Sequence, residues 1–189
     1  MGSGTVDRAA MPTPAALTGT PGTGKSEVAA ALARGLRTVE VSDLAHRWGL
    51  ARRKGRSVVV DVARLSARFR RTPPREELVV GHLAHLLPVR DVVVLRCHPD
   101  ELIRRLIRSG RGTARERREN YVAEALDVVL VEALRPRRRV WEVDTTGRSP
   151  ASVARAVHRT LLLRPPSRFG RVDWLADPKV TEHLLEMER

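Results

Sequence analysis

The segment GTPGTGKS, Gly19 to Ser26, sets a glycine, four residues, a second glycine, a lysine and a hydroxyl residue in succession. That order builds a phosphate-binding loop. The glycines Gly19, Gly22 and Gly24 let consecutive backbone N–H groups, Thr23 among them, converge on an anion without Cβ clashes. Lys25 brings a point charge to the β- and γ-phosphates, and Ser26 can offer its hydroxyl to magnesium. The helix that should begin here adds the positive end of its dipole. Lysine occurs only at Lys25, Lys54 and Lys179, so in this lysine-poor chain the pattern is specific. It calls for ATP and Mg2+ as cofactors, but it names a nucleotide and leaves the reaction open.

Other residues could take part in that reaction. In GHLAHLLP, Gly81 to Pro88, His82 follows a short apolar run that reads as a parallel strand. The carboxyl end of such a strand faces the ligand crevice. There a histidine can orient a water or sense the γ-phosphate, or else simply pack in a loop. Arg108, Arg111 and Arg115 lie on or beside a charged segment flanked by glycines. Phosphoryl transfer concentrates negative charge, which arginines on a closing segment offset while excluding water. Arg111 is the first choice and Arg108 the second, against a reading of both as solvated surface.

The elements that must position these groups alternate. Ala15 to Thr18 reads as a strand entering the loop and Ser26 to Leu36 as a helix. Thr38 to Ser42 is β-branched and reads as a second strand, with Asp43 capping a helix toward Leu50. Residues 51–57 read as a basic loop, 61–71 as a helix ended by Pro73-Pro74, and 78–80 as a short buried strand. Asp91 to Arg96 reads as a central parallel strand, its interior Val92 to Leu95 being unbroken apolar. A helix opens at Pro99, the charged segment 111–120 follows, and Tyr121 to Leu134 reads as one long amphipathic helix. Val140 to Val143 is the last strand, and Ser149 with Pro150 starts the last helix of the domain. The pattern predicts an α/β fold of the P-loop nucleoside triphosphate hydrolase type. Its core would be a doubly wound parallel five-stranded sheet flanked by helices. Residues 1–14 read as a leader, 15–163 as the domain, and 164–189 as a tail with one short helix after Pro178.

Bulk properties fit one domain. The 189 residues are 42% hydrophobic and 30% charged, ordinary for a globular protein. No apolar run approaches the length of a membrane-spanning helix. Cys97 is the single cysteine, which rules out an internal disulfide and suits a reducing compartment, the cytoplasm by default. It reads as a small residue at a strand end in preference to a reactive thiol. A net charge of +13 points to an anionic partner such as nucleotide or RNA, or to a merely solvated basic surface.

Taken in order, GTPGTGKS, SDLA (Ser42 to Ala45), VDVARL (Val60 to Leu65), GHLAHLLP and DTTGRSP (Asp144 to Pro150) resemble the sixth adenylate kinase isoenzyme family, in particular its archaeal members. The resemblance runs from about Leu17 to the end and includes VDWL, Val172 to Leu175. It implies a broad-specificity nucleoside monophosphate kinase with ATPase activity, taking AMP or another monophosphate as substrate. It also implies a role in late small-subunit maturation through a platform ribosomal protein and pre-ribosomal RNA. By position, Gly22, Gly24, Lys25, Ser26 and Glu27 would contact the triphosphate and His82 would serve ATP turnover. A lid near 108–120 would close over both nucleotides.

The monophosphate side would span about 43–66, with Asp43, Arg47, Arg52 and Asp61 as its candidates, and Arg53 beside them. Two departures stand out. Glu27 replaces the usual threonine and is expected to turn away from the phosphates. Val80 stands where an acid of the Walker-B kind is expected, two residues before His82. Magnesium then relies on Ser26, phosphates and waters, or on an acid from elsewhere. Asp43 and Asp61 are candidates for it, or plain helix caps. Two other functions stay open: an assembly ATPase acting as a nucleotide switch, and an RNA-binding module. The latter is disfavoured by one Tyr and two Phe, too few for base stacking.

Overall fold

The computed structural model describes residues 14–54 and 57–187; nearly all of the expected leader lies outside them. Five parallel strands form the central sheet in the order β2-β5-β1-β6-β7. They are β1 (Ala15–Thr18), β2 (Thr38–Glu40), β5 (Leu78–Val80), β6 (Asp91–Arg96) and β7 (Arg139–Asp144). Successive side chains point to opposite faces, so each strand feeds two cores. Ala16, Val79, Val92 and Val94 pack on one face against Leu44, Leu65, Phe69 and Leu130. Ala15, Leu17, Val93 and Leu95 pack on the other against Val28, Leu32, Val157 and Leu161. This double coverage is why the interior of β6 reads as an unbroken apolar run.

The helices covering the first face are α2 (Val41–Arg47), α3 (Val62–Arg71) and α6 (Val128–Ala133). The second face carries α1 (Lys25–Leu32) and α7 (Pro150–Leu163). Ser149 caps α7 by accepting from the Ser152 amide, with Pro150 at the first turn. Asp61 caps α3 by accepting from the Arg64 amide at 3.0 Å.

Four local expectations are corrected. First, β2 stops at Glu40 and α2 begins at Val41, so Asp43 lies in its first turn and is not the cap. Second, residues 51–57 are not a plain loop. β3 (Ala51–Lys54) and β4 (Ser57–Val60) pair antiparallel as a hairpin outside the main sheet. Third, after α4 (Pro99–Arg108) the charged segment is already helical. α5 (Ala114–Ala125) starts from a capping box in which Thr113 and Glu116 satisfy each other's amides. Fourth, no single helix spans 121–134. The chain breaks at Asp127, whose φ of 57° is left-handed, and α6 restarts at Val128.

The break at Asp127 has a visible reason. Arg96, at the end of β6, is 1% exposed and must be paired. Its guanidinium donates to the Glu124 carboxylate at 2.8 Å and to Glu142 at 2.7 Å. It also donates to the Glu124 carbonyl at 3.0 Å and to Asp127. The turn at residues 126–127 brings the Glu124 carbonyl and the Asp127 carboxylate to one cation.

The tail is ordered onto this same point. Trp174, on a single 3-10 turn (Trp174–Ala176), donates its indole N–H to Glu124 at 3.2 Å. Val180 of α8 (Pro178–Met187) buries beside Tyr121 and Ala125, and His183 stacks on Tyr121 at 4.6 Å. Upstream, Arg168 continues the sheet: its amide donates to Val140 and its carbonyl accepts from Glu142, both at 2.9 Å. No described helix is long and apolar enough to cross a membrane.

Removing one partner of a buried, hydrogen-bonded ion pair typically costs about 3–5 kcal/mol. Glu124→Ala is therefore expected to lower stability by that amount in urea unfolding. Arg115→Ala, which removes only the exposed pair with Glu119 at 2.9 Å, leaves the urea midpoint where it was.

Candidate active site

The phosphate loop joins β1 to α1 over the carboxyl end of the sheet. Two of its glycines are enforced by contact. A Cβ on Gly19 would lie 2.4 Å from the Leu95 carbonyl oxygen, and its φ is 144°. Gly22, at φ 100°, sits 3.0 Å from Leu102 and Leu106 of α4 by the same measure. The loop is thus pressed between β6 and α4. Thr23, fully buried, donates its hydroxyl to the Thr20 carbonyl at 2.9 Å. Thr20 in turn donates to the Glu124 carboxylate at 2.5 Å, and the same carboxylate accepts from the Cys97 amide at 3.0 Å. The loop's shape is therefore fixed by the Arg96 network beneath it. Cys97 is fully buried and its thiol is pushed up to about 11, chiefly by burial, so it is inert packing.

Lys25 is folded onto its own loop. Its ammonium donates to the Gly19 carbonyl at 2.8 Å and the Thr20 carbonyl at 2.9 Å. Burial lowers its pKa to about 8, opposed by the charges of Glu124, Glu40 and Glu27 and assisted by Arg111. Ser26 donates its hydroxyl to the Glu40 carboxylate at 3.1 Å. Glu40 itself is held above the usual carboxylate range, first by desolvation and against the opposing pull of Ser26 and Lys25.

A cleft of about 1270 Å³ opens over this loop. Gly22, Thr23, Gly24, Lys25, Ser26 and Glu27 form one wall. Glu27, expected to turn away, borders the cleft, and its charge is felt at Lys25. Arg108, Arg111, Gly112 and Thr113 also line the cleft, as do Gly81, His82 and Glu40. Desolvation, then the charges of Lys25 and His85, hold His82 below its usual value of 6.5, so it is neutral at pH 7. Gly19 underlies the cleft without bordering it, and Arg115 does not reach it: its guanidinium pairs with Glu119 on α5.

The four monophosphate candidates lie outside the cleft wall. Arg47 is exposed and pairs with Glu76 at 2.8 Å. Asp61 caps α3 and pairs with Arg64 at 3.4 Å. Asp43 is exposed on α2, and Arg52 is exposed on the hairpin. Neither aspartate hydrogen-bonds to Ser26, whose hydroxyl goes to Glu40. The side chain of Arg53 lies outside the described residues.

Several site residues were missed in the sequence. Glu40 is one: it was read as the interior of a strand, whereas the strand's early end puts it at the sheet's carboxyl edge. Arg105 is another. It borders the cleft and donates to Thr145 through both its hydroxyl, at 3.0 Å, and its carbonyl, at 2.8 Å. Arg148, also on the cleft, belongs to DTTGRSP, a segment singled out without a role. Ser26 and Glu40 present hard oxygen atoms beside the loop, a donor set that suits magnesium. Ser26 is the residue that would hold it. No group of three or more His, Cys, Asp or Glu forms a metal cage among the described residues.

A family model for an AAA domain matches residues 16–127. A protein of Thermococcus gammatolerans named "Putative adenylate kinase" is 42% identical over 163 residues, covering 84% of this chain and 91% of that one. A protein of the same name from Archaeoglobus fulgidus is 42% identical over 169 residues, covering 86% and 92%. The chain belongs to this archaeal adenylate kinase-like family. Its fold is that of P-loop kinases. Shikimate kinase from Acinetobacter baumannii matches it at a TM-score of 0.57 and 18% identity, covering 81% of this chain and 95% of that one. Within GHLAHLLP, the second histidine is structural. His85 is 1% exposed, and its Nε2 lies 2.9 Å from the Glu132 carboxylate. A carboxylate only accepts, so Nε2 carries the proton and Nδ1 accepts from the Thr18 hydroxyl at 2.9 Å.

Burial is the largest influence on His85 and holds its pKa below the usual 6.5. As pH falls through 6.5 the unfolded chain takes up this proton before the folded one, so stability falls with it. Thermal midpoints measured from pH 7.5 to 5 are expected to decline below about pH 6.5. His85→Asn, which keeps an acceptor for Thr18, shows a shallower decline.

Proposed function

We propose that the protein is a broad-specificity nucleoside monophosphate kinase, converting ATP and AMP to two ADP, with ATPase activity when no acceptor is bound. The observation that carries this reading is that Lys25 and Ser26 of the loop, Arg108, Arg111 and His82 all line one cleft. The names of its archaeal relatives support it.

The loop amides bind the triphosphate, and Lys25 leaves the Gly19 and Thr20 carbonyls to meet phosphate oxygens. Their attraction favours the ammonium, which burial alone disfavours. Ser26 would hold magnesium, which would supply neutralising charge for the phosphates. Arg111, with Arg108, faces the moving group, where guanidinium charge stabilises what develops in the transition state. No covalent intermediate is needed; the work is alignment and electrostatics. Neutral His82 can accept a hydrogen bond from water and so position it for hydrolysis.

Residues 108–120 act as the lid. Gly110 and Gly112 have φ of 64° and 72°, and the Thr113 capping box makes the following segment a rigid helix. The bend is thus confined to the short stretch between α4 and α5. The monophosphate side is the segment 43–66, comprising α2, the hairpin and the start of α3. Asp43, Arg47, Arg52 and Asp61 are its candidates. The pairing of exposed Arg47 with Glu76 is weak enough to exchange for a phosphate. The domain spans 15–163, with the leader before it and the tail 164–189 packed on it.

A second reading is supported by the tail. Trp174 and the loop residue Thr20 hydrogen-bond to the same Glu124 carboxylate, which links the tail to the nucleotide loop. A nucleotide switch acting on a small-subunit platform ribosomal protein and pre-ribosomal RNA, in the cytoplasm, uses that link and the charge of +13. In that case ribosome maturation is the biological role and phosphotransfer to AMP a minor activity.

A coupled assay with AMP, CMP, GMP and UMP tests the kinase. AMP is expected to accept phosphate, and Lys25→Ala to lower the rate by about 10²–10³-fold. AMP that neither accepts phosphate nor alters ATP turnover would sink this reading. His82→Ala is expected to lower ATP hydrolysis by about 10²-fold while ATP affinity holds. Equal losses in both would remove His82 from the turnover step.

A further inference from the structure

Val80 is the departure that leaves the nucleotide site short of an acid. In P-loop enzymes the loop hydroxyl and a carboxylate at a strand end share the magnesium. Val80 ends β5, is 1% exposed, and packs into the core with Leu17 and Leu95. It has nothing to offer a cation. The neighbouring strand β2 runs parallel to β5, and the register pairs Thr38 with Leu78, Val39 with Val79 and Glu40 with Val80. Glu40 is therefore level with the missing acid, one strand farther from the loop.

Two observations and one argument from strand spacing tie this carboxylate to the loop. Glu40 Oε1 accepts from the Ser26 hydroxyl at 3.1 Å, across a separation of fourteen residues. Both residues border the same cleft. Each strand step costs about 4.8 Å, and glutamate, one methylene longer than aspartate, recovers part of that distance. The other candidate acids are committed elsewhere: Asp61 to the cap of α3, Asp43 to an exposed position outside the cleft wall.

We propose that Glu40 is the magnesium-site carboxylate of this chain, taking the place of the acid absent at Val80 through the Glu40–Val80 register pair and the hydrogen bond to Ser26. This rests on the reading of the cleft as an ATP site, and goes beyond it by assigning the acid. Glu40 positions Ser26 and adds the negative charge that favours a divalent cation beside the phosphates. The site stays one carboxylate strong; the acid has moved sideways by one strand.

The test is ATP binding by calorimetry with magnesium and with EDTA, and Mn2+ binding to the ATP complex by electron paramagnetic resonance. Both are read on the full chain, with no turnover involved. Loss of a residue that supports a metal site costs about 10–100-fold in metal affinity. Glu40→Gln and Glu40→Ala are expected to weaken Mn2+ binding by that factor while ATP affinity in EDTA is kept or improved. Adding Val80→Asp to Glu40→Gln is expected to restore Mn2+ affinity at least in part. If the double variant fails to fold, the two single variants decide the matter alone.

Full Mn2+ affinity in both single variants overturns the proposal. So does an equal loss of ATP affinity with and without the metal, which would make Glu40 a support for loop shape. An unaltered protein that binds no ATP in either buffer overturns the kinase reading, a result distinct from both.

Discussion

The buried cation at Arg96 is the constraint on which the rest of the molecule depends. A guanidinium at the end of the central strand cannot be left unpaired, because an unmatched buried charge is among the costliest defects a fold can carry. Its carboxylate partners come from three places: Glu124 on α5, Asp127 at the helix break and Glu142 on β7. Glu124 then uses its remaining capacity on Thr20 of the phosphate loop, the Cys97 amide and Trp174 of the tail. Loop, α5 and tail are thereby tied to a single buried ionic cluster. In a low-dielectric interior such a network is strong when complete and fragile when one member is lost.

The nucleotide loop inherits its rigidity from this arrangement. It lies against Leu95 and α4 on one side and is hydrogen-bonded to Glu124 on the other, so its amides are aimed before any anion arrives. Only its charged side chains are poised to move. Lys25 rests on two backbone carbonyls that a phosphate would replace, and Arg108 and Arg111 stand on a segment whose glycines have room to turn.

Much of this was legible in the sequence because it follows from local rules. The phosphate loop is a contiguous motif, the interior of β6 an uninterrupted apolar run, and the cap at Ser149-Pro150 a two-residue signal. His82, Arg108 and Arg111 are indicated by position, by charge and by the family resemblance together, and all three border the cleft. What was missed depends on contacts between distant residues. The break at Asp127 interrupts a good helical pattern because Arg96, thirty-one positions earlier, draws in that carboxylate. Glu40 gave no sign of its importance, since only the parallel register of β2 with β5 sets it level with Val80. The order of the tail was hidden for the same reason: Trp174 and Val180 acquire their partners on α5, fifty residues or more upstream in the chain.

The pairing of Arg168 with β7 reaches beyond the nucleotide. An outer strand with free amides and carbonyls is a template for another chain, and β7 is six residues long. The opposite edge, β2, is protected by being only three residues long. On β7, Arg168 occupies the backbone groups of Val140 and Glu142, and Ser167 accepts from the Val140 amide. Trp141 donates its indole N–H to the carbonyls of Pro165 and Pro166, and prolines cannot extend a ladder. The tail thus covers main-chain groups along β7 that an outer strand would otherwise leave open, so the segment that meets Glu124 beneath the nucleotide loop also closes this margin of the sheet.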